Sequence, residues 1–317
     1  MRVTVIIPIY KGESTIEQTF NSLLLQSKKF SELIILIDGS PDNSEEIISD
    51  FIKRNKVKNC RLKIHKKPLG LSATYNEGIR LAKSDFIVTL HQDVILFKKS
   101  LELLCSPFEK DDPKIVASTH IVLHPIKIWQ KYNFWQKVFF SRLVNKKFSG
   151  IDGKFDCFRK DTLLKVGLFD QKNFRTAGED GDIVYKLKQI GKIVETKAEI
   201  IHIHQASGKF SLGDIITKQA QYSEAQGALL RRGRVRGMMQ FVKTFFREIL
   251  FLALFIPYIK FLALIVIVIY SFSYTTKVFA SQWRDARIII LPFVNIFLLF
   301  VSFLFSIKGF LQGRQMI

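Results

Sequence analysis

The residues best suited to chemistry in this sequence are carboxylates and histidines that directly follow apolar runs. Phe86–Leu90 is apolar and β-branched, the pattern of a strand buried on both faces of a parallel sheet, and His91-Gln92-Asp93 follows it at once. Polar residues leaving such a strand stand at the carboxyl edge of the sheet, where open α/β folds bind ligands. Asp93 is therefore a candidate to hold a metal ion or a ligand hydroxyl, with an ordinary strand-to-loop transition as the alternative. Asp38-Gly39-Ser40 follows a second such run, Leu33–Ile37. A carboxylate there can accept N–H or O–H bonds from a nucleotide's base or ribose, although Asp-Gly is also a common turn pair. Glu179-Asp180-Gly181-Asp182 places three carboxylates within four residues at the start of an amphipathic stretch. The helix dipole favours one or two of them. A third is more than a cap needs, and their crowding can raise one pKa into the range useful for a general base. His202 and His204 alternate, so on a strand both face one side. They are either structural histidines or a metal or phosphate contact.

These residues need elements to position them. Val3–Ile7, Leu33–Ile37, Leu62–His65 and Phe86–Leu90 read as strands. Between them, Ser14-Thr15-Ile16-Glu17 is a capping box opening a helix to about Gln26, Ser44 caps a helix to about Arg54, and Leu71–Ala82 is helical. Strand and helix in alternation predict right-handed crossovers and a parallel sheet. Gly153 to Phe169 reads as a turn, a short strand and a helix, Ile183–Ile190 as a helix, and Ile193–Ile203 as further strands. The aromatic and basic stretch Trp129–Phe148 reads as a loop or helix over one face, and Asp214–Arg231 as a linker helix.

With 317 residues, 48% hydrophobic and 29 of them Phe, the chain can bury a large core and carry an appendage. Its net charge of +20 asks for a polyanionic partner, either nucleic acid or an anionic membrane. Cys60, Cys105 and Cys157 show no CxxC spacing, which fits a reducing compartment and offers no metal site. The opening residues carry too short an apolar run for a signal peptide. Ile249–Ile269 and Ile288–Ile307 are almost wholly apolar, close to the roughly 20 residues a spanning helix needs. They predict a membrane hairpin, with Lys260 as the main objection and a buried or interfacial helical pair as the alternative. Arg231, Arg232, Arg234, Arg236, Lys243 and Arg247 precede it and Lys308 and Arg314 follow, so the positive-inside rule puts both ends in the cytoplasm.

Taken together in order and spacing, several short motifs resemble the family 2 inverting glycosyltransferases. They are Val3-Thr4-Val5-Ile6-Ile7-Pro8-Ile9-Tyr10, Ile37-Asp38-Gly39-Ser40, Gly70-Leu71-Ser72-Ala73 with Asn76, and Leu90-His91-Gln92-Asp93. Ile151-Asp152-Gly153, Arg159, Gly167-Leu168-Phe169-Asp170 and Gly178-Glu179-Asp180 continue the match to about residue 205. The resemblance implies an α/β, Rossmann-like GT-A fold and a nucleotide-diphosphate-sugar donor. It implies donor contacts from Pro8, Tyr10, Asp38, Ser72, Gln92 and Asp93, a general base in Asp180, and acceptor or sugar contacts from Asp152 and Glu179. It also implies a divalent cation, Mn²⁺ or Mg²⁺, on Asp93, with His91 and His204 as further ligands. His91 stands where the family's DxD motif has its first Asp, Ile37 where an Asp is usual, and Tyr75 where relatives often carry Arg. These departures bring strict metal dependence into question and point to an unusual donor.

The expected organisation is a GT-A domain over 1–213, a basic linker helix over 214–247 and a C-terminal membrane hairpin over 248–317. The expected function is inverting hexosyl or deoxyhexosyl transfer to a lipid-linked glycan acceptor in polysaccharide synthesis at the inner membrane, with the catalytic domain cytoplasmic. No nucleic-acid partner is expected, because the positive charge abuts apolar segments. The alternatives are a catalytically inactive membrane scaffold of the same fold and a basic nucleic-acid-binding protein.

Overall fold

Nine strands form one sheet: β1 (Val3–Ile9), β2 (Glu32–Ile37), β3 (Cys60–Ile64), β4 (Phe86–Leu90), β5 (Val94–Leu96), β6 (Ile115–Leu123), β7 (Lys147–Ser149), β8 (Phe155–Arg159) and β9 (Lys192–His202). Their order is β3-β2-β1-β4-β8-β6-β9-β5, with β7 on β6. The structure, a computed structural model, describes residues 1–110, 112–204 and 210–317. β1 to β4 pair in parallel, and β1 and β2 are buried along their whole length, as their unbroken apolar runs require. The expectation of a parallel sheet holds for this half. Beyond β4 the sheet is mixed, since β8 runs antiparallel to both β4 and β6, and β5 antiparallel to β9. Ile193–Ile203, expected as strands, is one long strand pairing in parallel with β6.

Helices Ile16–Leu24, Ser44–Arg54 and Leu71–Leu81 form where the alternation placed them. Phe20, Leu23, Ile48 and Phe51 pack on Val5, Ile7, Ile35 and Ile37 as one buried cluster. The expected capping box is not made: the N-cap is Thr15, whose side chain caps nothing, and the Gly12 carbonyl accepts the Thr15 and Ile16 amides instead. Ser44 is likewise no cap; its hydroxyl donates to Asp42 and accepts the Gly12 amide. The helix over the acidic cluster starts at Glu179, four residues before the apolar periodicity begins, and ends at Lys188.

The chain divides into two compact units. One comprises Met1–Pro125, Asn145–Gln171 and Glu179–Ser207, and the other Ile126–Val144, Lys172–Gly178 and Gly208–Ile317. The second unit is helical. Trp129–Phe148, read as a loop or helix, supplies it with Phe134–Phe140, and Leu212–Arg231 packs within it along Leu291–Gln312. Two glycines allow that pairing: a Cβ on Gly227 would lie 1.9 Å from the Ser306 carbonyl oxygen, and one on Gly309 1.9 Å from that of Glu224. Glu224, fully buried, pairs with Lys308 at 2.8 Å and accepts the Met316 and Ile317 amides at 3.0 and 3.1 Å. Asn295 donates to the Ser271 carbonyl at 2.6 Å, and Ser302 and Ser306 each donate to Glu248 at 2.7 Å. The polar residues inside the apolar segments are thus a hydrogen-bonded seam.

The expected hairpin of two spans is corrected to one candidate. Among the described residues, Ala286–Gln312, 27 residues long, is the helix long and apolar enough to cross a membrane. The other segment breaks into Phe246–Ala253 and the 14-residue Lys260–Ser273. Pro257 lies in the gap; it lacks an N–H and disfavours helical backbone at the residue before it. Replacing Gly227 by Val should lower the melting temperature of the detergent-solubilised protein by the equivalent of about 3 kcal/mol, since overpacking costs ~1–3 kcal/mol even where side chains can yield. Here the obstacle is backbone. Gly213→Ala, which meets nothing closer than Ser211 Oγ at 3.5 Å, is the control.

Candidate functional site

Neighbouring parallel strands end together, so their carboxyl ends bring three loops to one edge. β1 runs into Tyr10, β2 into Asp38 and β4 into His91-Gln92-Asp93. Gln92 fastens the first loop to the third: its Oε1 accepts the Tyr10 amide at 2.9 Å and its Nε2 donates to the Tyr10 carbonyl at 2.8 Å. Tyr10 itself is exposed, with the Lys11 ammonium 5.5 Å from its ring centre, whereas Pro8 is buried within β1.

Asp38 is 6% exposed and builds its surroundings. Its Oδ1 accepts the Leu69 amide and a bond from His65 Nδ1, each at 2.8 Å, and its Oδ2 accepts the Gly70 amide at 2.8 Å. His65 Nε2 meets Glu77 at 2.6 Å. Gly39, at φ 61°, lets the turn press against the backbone of Lys67 and Pro68; a Cβ would come within 2.7 Å of both. Asp38 is thus both a turn residue and the organiser of the loop that enters helix Leu71–Leu81, in whose first turn Ser72 is buried.

Asp93 stands between β4 and the short β5. Its Oδ2 lies 3.1 Å from His202 Nε2, while its Oδ1 is buried with no hydrogen-bond partner. Burial alone would raise this carboxyl, but the adjacent His202 and His91 rings hold it at about 2. His202 and His204 do share a side, with ring centres 3.9 Å apart, and His124 joins them at 5.8 and 6.0 Å. One ring nitrogen from each of the three lies within 4.8 Å of the others, so the group could hold a metal ion. Neither nitrogen of His124 has a partner, and burial lowers its pKa to about 4, keeping it a neutral ligand. Among the described residues, His91 stands in no such group. Its ring lies along Tyr75 at 6.2 Å with Nε2 buried and unbonded, and burial holds it neutral, at about 4.

A second cluster surrounds Asp156, on β8. Its carboxylate is fully buried and accepts from Thr119 Oγ1 at 2.7 Å, from His120 Nδ1 at 3.3 Å and from the amides of Asp152 and Gly153 at 3.1 and 2.8 Å. His120 Nε2 faces Asp152 at 3.5 Å, and Lys154 Nζ binds Asp152 at 2.8 Å. Burial pushes Asp152 up, but Lys154 and His120 outweigh it and keep the carboxyl ionised, at about 2. The sequence reading passed over His120, His124 and Asp156. A signal existed for the first two, since positions 120 and 124 share one side of a strand. For Asp156, an acid inside an apolar strand was the only hint.

Glu179 and Asp180 open helix Glu179–Lys188. Burial, and then the charge of Asp180, raise the Glu179 carboxyl, whose Oε2 is buried without a partner. Burial also raises Asp180, although the Gly181 amide donates to its Oδ1 at 2.7 Å. Asp182, fully buried, is engaged by Lys186 at 2.6 Å.

Comparison with known proteins places this geometry. Residues 4–160 match the family described as glycosyl transferase family 2. The poly-β-1,6-N-acetyl-D-glucosamine synthase of Staphylococcus epidermidis is 27% identical over 176 residues, 53% of this chain and 42% of that protein. The uncharacterized glycosyltransferase EpsJ of Bacillus subtilis is 34% identical over 116 residues, 36% of this chain and 33% of that one. The chain thus spans less than half the length of either relative. Among solved structures, the mannosyltransferase PcManGT from Pyrobaculum calidifontis, in complex with GDP-Man and Mn²⁺, is similar with a TM-score of 0.62 at 12% identity, over 96% of this chain and 87% of that one. GalNAc-T7 with UDP, GalNAc and Mn²⁺ gives 0.56 at 15% identity, over 79% and 51%. At these identities the likeness is one of fold, and the fold is GT-A. By the match over residues 4–160 and the fold built on them, the chain carries a glycosyl transferase family 2 domain.

Proposed function

We propose that this protein is an inverting glycosyltransferase that moves a hexosyl or deoxyhexosyl unit from a nucleoside-diphosphate donor to a glycan acceptor, lipid-linked, in polysaccharide synthesis at the inner face of the cytoplasmic membrane. The observation that carries the reading is the unpartnered Oδ1 of Asp93, buried beside imidazoles at the carboxyl edge of a family 2 sheet. An acceptor left bare in such a place costs about 1–3 kcal/mol unless something completes it. Asp93 with His202, His204 and His124 fits a divalent cation. Imidazole beside a single carboxylate favours Mn²⁺ over Mg²⁺, which prefers oxygen ligands. When bound, the cation would neutralise the charge that develops on the departing diphosphate.

The remaining residues divide the work. Exposed Tyr10 offers its ring to the donor's base, on a loop that Gln92 and Pro8 hold in place. Asp38 shapes the Leu69–Gly70 turn and the start of the helix bearing Ser72, against which the nucleoside lies. Asp152 stays ionised and suits a hydrogen bond from a sugar hydroxyl. His91, neutral and facing Tyr75, shapes the donor-sugar side instead of completing a DxD pair. Asp180, a carboxyl whose pKa burial raises, beside Glu179, whose own is raised to about 8, accepts the proton of the attacking hydroxyl. The membrane attachment rests on the apolar helix Ala286–Gln312.

Three outcomes test this. Asp93→Ala should abolish transfer and Mn²⁺-dependent nucleotide binding in calorimetry, and His202→Ala should weaken that binding; undiminished nucleotide affinity in folded Asp93→Ala protein would remove Asp93 from the site. Asp180→Asn should slow transfer by about 10²–10⁴-fold with donor affinity retained, while Glu179→Gln slows it less; the reverse order moves the base to Glu179. The third concerns stability. The native state raises Glu179 from its ordinary 4.5 to about 8 and so keeps a proton that the unfolded chain releases between those values. Stability therefore falls as pH rises through that window. Glu179→Gln should flatten the fall, and at pH 8 should melt above the parent by the equivalent of roughly 2 kcal/mol, which is below the ~1.4 kcal/mol per pKa unit ceiling for such a shift. A parent-like slope between pH 5 and 8 would show that Glu179 is not the group responsible.

A further inference from the structure

The helical unit contains a cavity of about 390 Å³ on which three cationic side chains converge. Arg142, Lys243 and Arg247 line it, and none of its lining residues is acidic. Arg247 is held in place: its Nε donates to Tyr270 Oη at 3.0 Å and its Nη1 to Gln219 Oε1 at 2.6 Å. Its guanidinium lies 5.7 Å from the centre of the Tyr274 ring, and Arg142 lies 5.2 Å from the same ring. Two like charges thus share one aromatic ring. Glu248, the next residue, turns its Oε1 to the hydroxyls of Ser302 and Ser306. Arg142 and Lys243 are exposed. Such a set of cations repels itself until an anion enters, and fixed guanidinium groups match phosphate oxygens.

The surface around the cavity says what carries the anion. Tyr270 lies in the last turn of helix Lys260–Ser273 and Tyr274 directly follows it; the helix's other faces leave Phe261, Leu262, Ile265, Ile269 and Phe272 between 51 and 68% exposed. Tyr258, just before that helix, is 96% exposed. At 14 residues this helix is too short to span a bilayer, and its side chains form an apolar surface beside the cations. A free nucleotide or inorganic phosphate would use the cations and leave that surface in water.

We infer that the cavity formed by Arg142, Lys243, Arg247, Gln219, Tyr270 and Tyr274 binds the phosphate of an anionic lipid, with the lipid's chain lying on the exposed face of helix Lys260–Ser273. The site deepens the reading of a membrane-bound enzyme and rests on it, but binding is measured without transfer, so either can fail alone. Two sources share this chemistry, a bilayer phospholipid and an isoprenoid phosphate.

The test uses the full-length protein in a non-ionic detergent and monitors intrinsic fluorescence and melting while dihexanoylphosphatidylglycerol, farnesyl phosphate, dihexanoylphosphatidylcholine or inorganic phosphate is added. Phosphatidylglycerol, farnesyl phosphate or both should bind at least about tenfold more tightly than the zwitterionic lipid and inorganic phosphate. Which of the two binds identifies the source. Arg142→Gln and Lys243→Gln, both at exposed positions, should each weaken binding by roughly tenfold, the loss of one charge-assisted phosphate contact. Arg247→Gln should abolish it, and the exposed pair of variants keeps the test valid if that one fails to fold. Equal affinity for the zwitterionic lipid, inorganic phosphate binding as tightly as the lipids, or wild-type affinity in both exposed variants would overturn the inference.

Discussion

Much of the candidate site hangs on one buried carboxylate. Asp156, with no exposed surface, accepts a hydroxyl and an imidazole from β6 and two consecutive amides from the Asp152-Gly153 turn. A carboxyl group so far from water is tolerable only when its hydrogen-bonding capacity is filled, which makes the arrangement all-or-none. The turn it fixes then fixes others. The Gly153 carbonyl receives the Tyr75 hydroxyl at 2.9 Å, and the Lys154 carbonyl receives the His91 amide at 3.0 Å. From His91 the backbone leads in two residues to Asp93. Removing the Asp156 carboxyl would loosen residues from three separate stretches of chain without touching any of them.

What was legible in the sequence follows from how local the signal is. The strands β1, β2 and β4 announce themselves as apolar runs, and their ends place Asp38 and Asp93 at the sheet edge. The antiparallel half was not legible, because pairing of β8 with β4 and β6 depends on partners far away in sequence. The metal-competent trio shows the same limit. His202 and His204 were visible as an alternating pair, but His124 comes from the end of β6, about eighty residues earlier, and reaches them only because β6 and β9 pair in parallel. Capping failed for a different reason: Gly12 and Asp42 offered better partners than the helix's own first turn.

The helical unit illustrates the difference between composition and architecture. Two stretches of similar apolar content behave differently. Leu291–Gln312 runs unbroken, with Pro292 in its first turn, where a missing N–H is harmless. The Ile249–Ile269 stretch has its proline in the middle and splits. Asn295, Ser302 and Ser306, which interrupt the apolar pattern, are the positions at which this helix bonds to its neighbours.

The backbone contact between Leu212–Arg231 and Leu291–Gln312 has a mechanical consequence. Where Gly227 meets Ser306 and Gly309 meets Glu224, there is no layer of side chains to flex or slide. The two helices can neither rotate about their long axes nor shift by a turn without colliding, so they act as a single beam. A displacement of one helix along its axis would therefore be carried directly to the other, because no flexible side chain lies between the two backbones at these points.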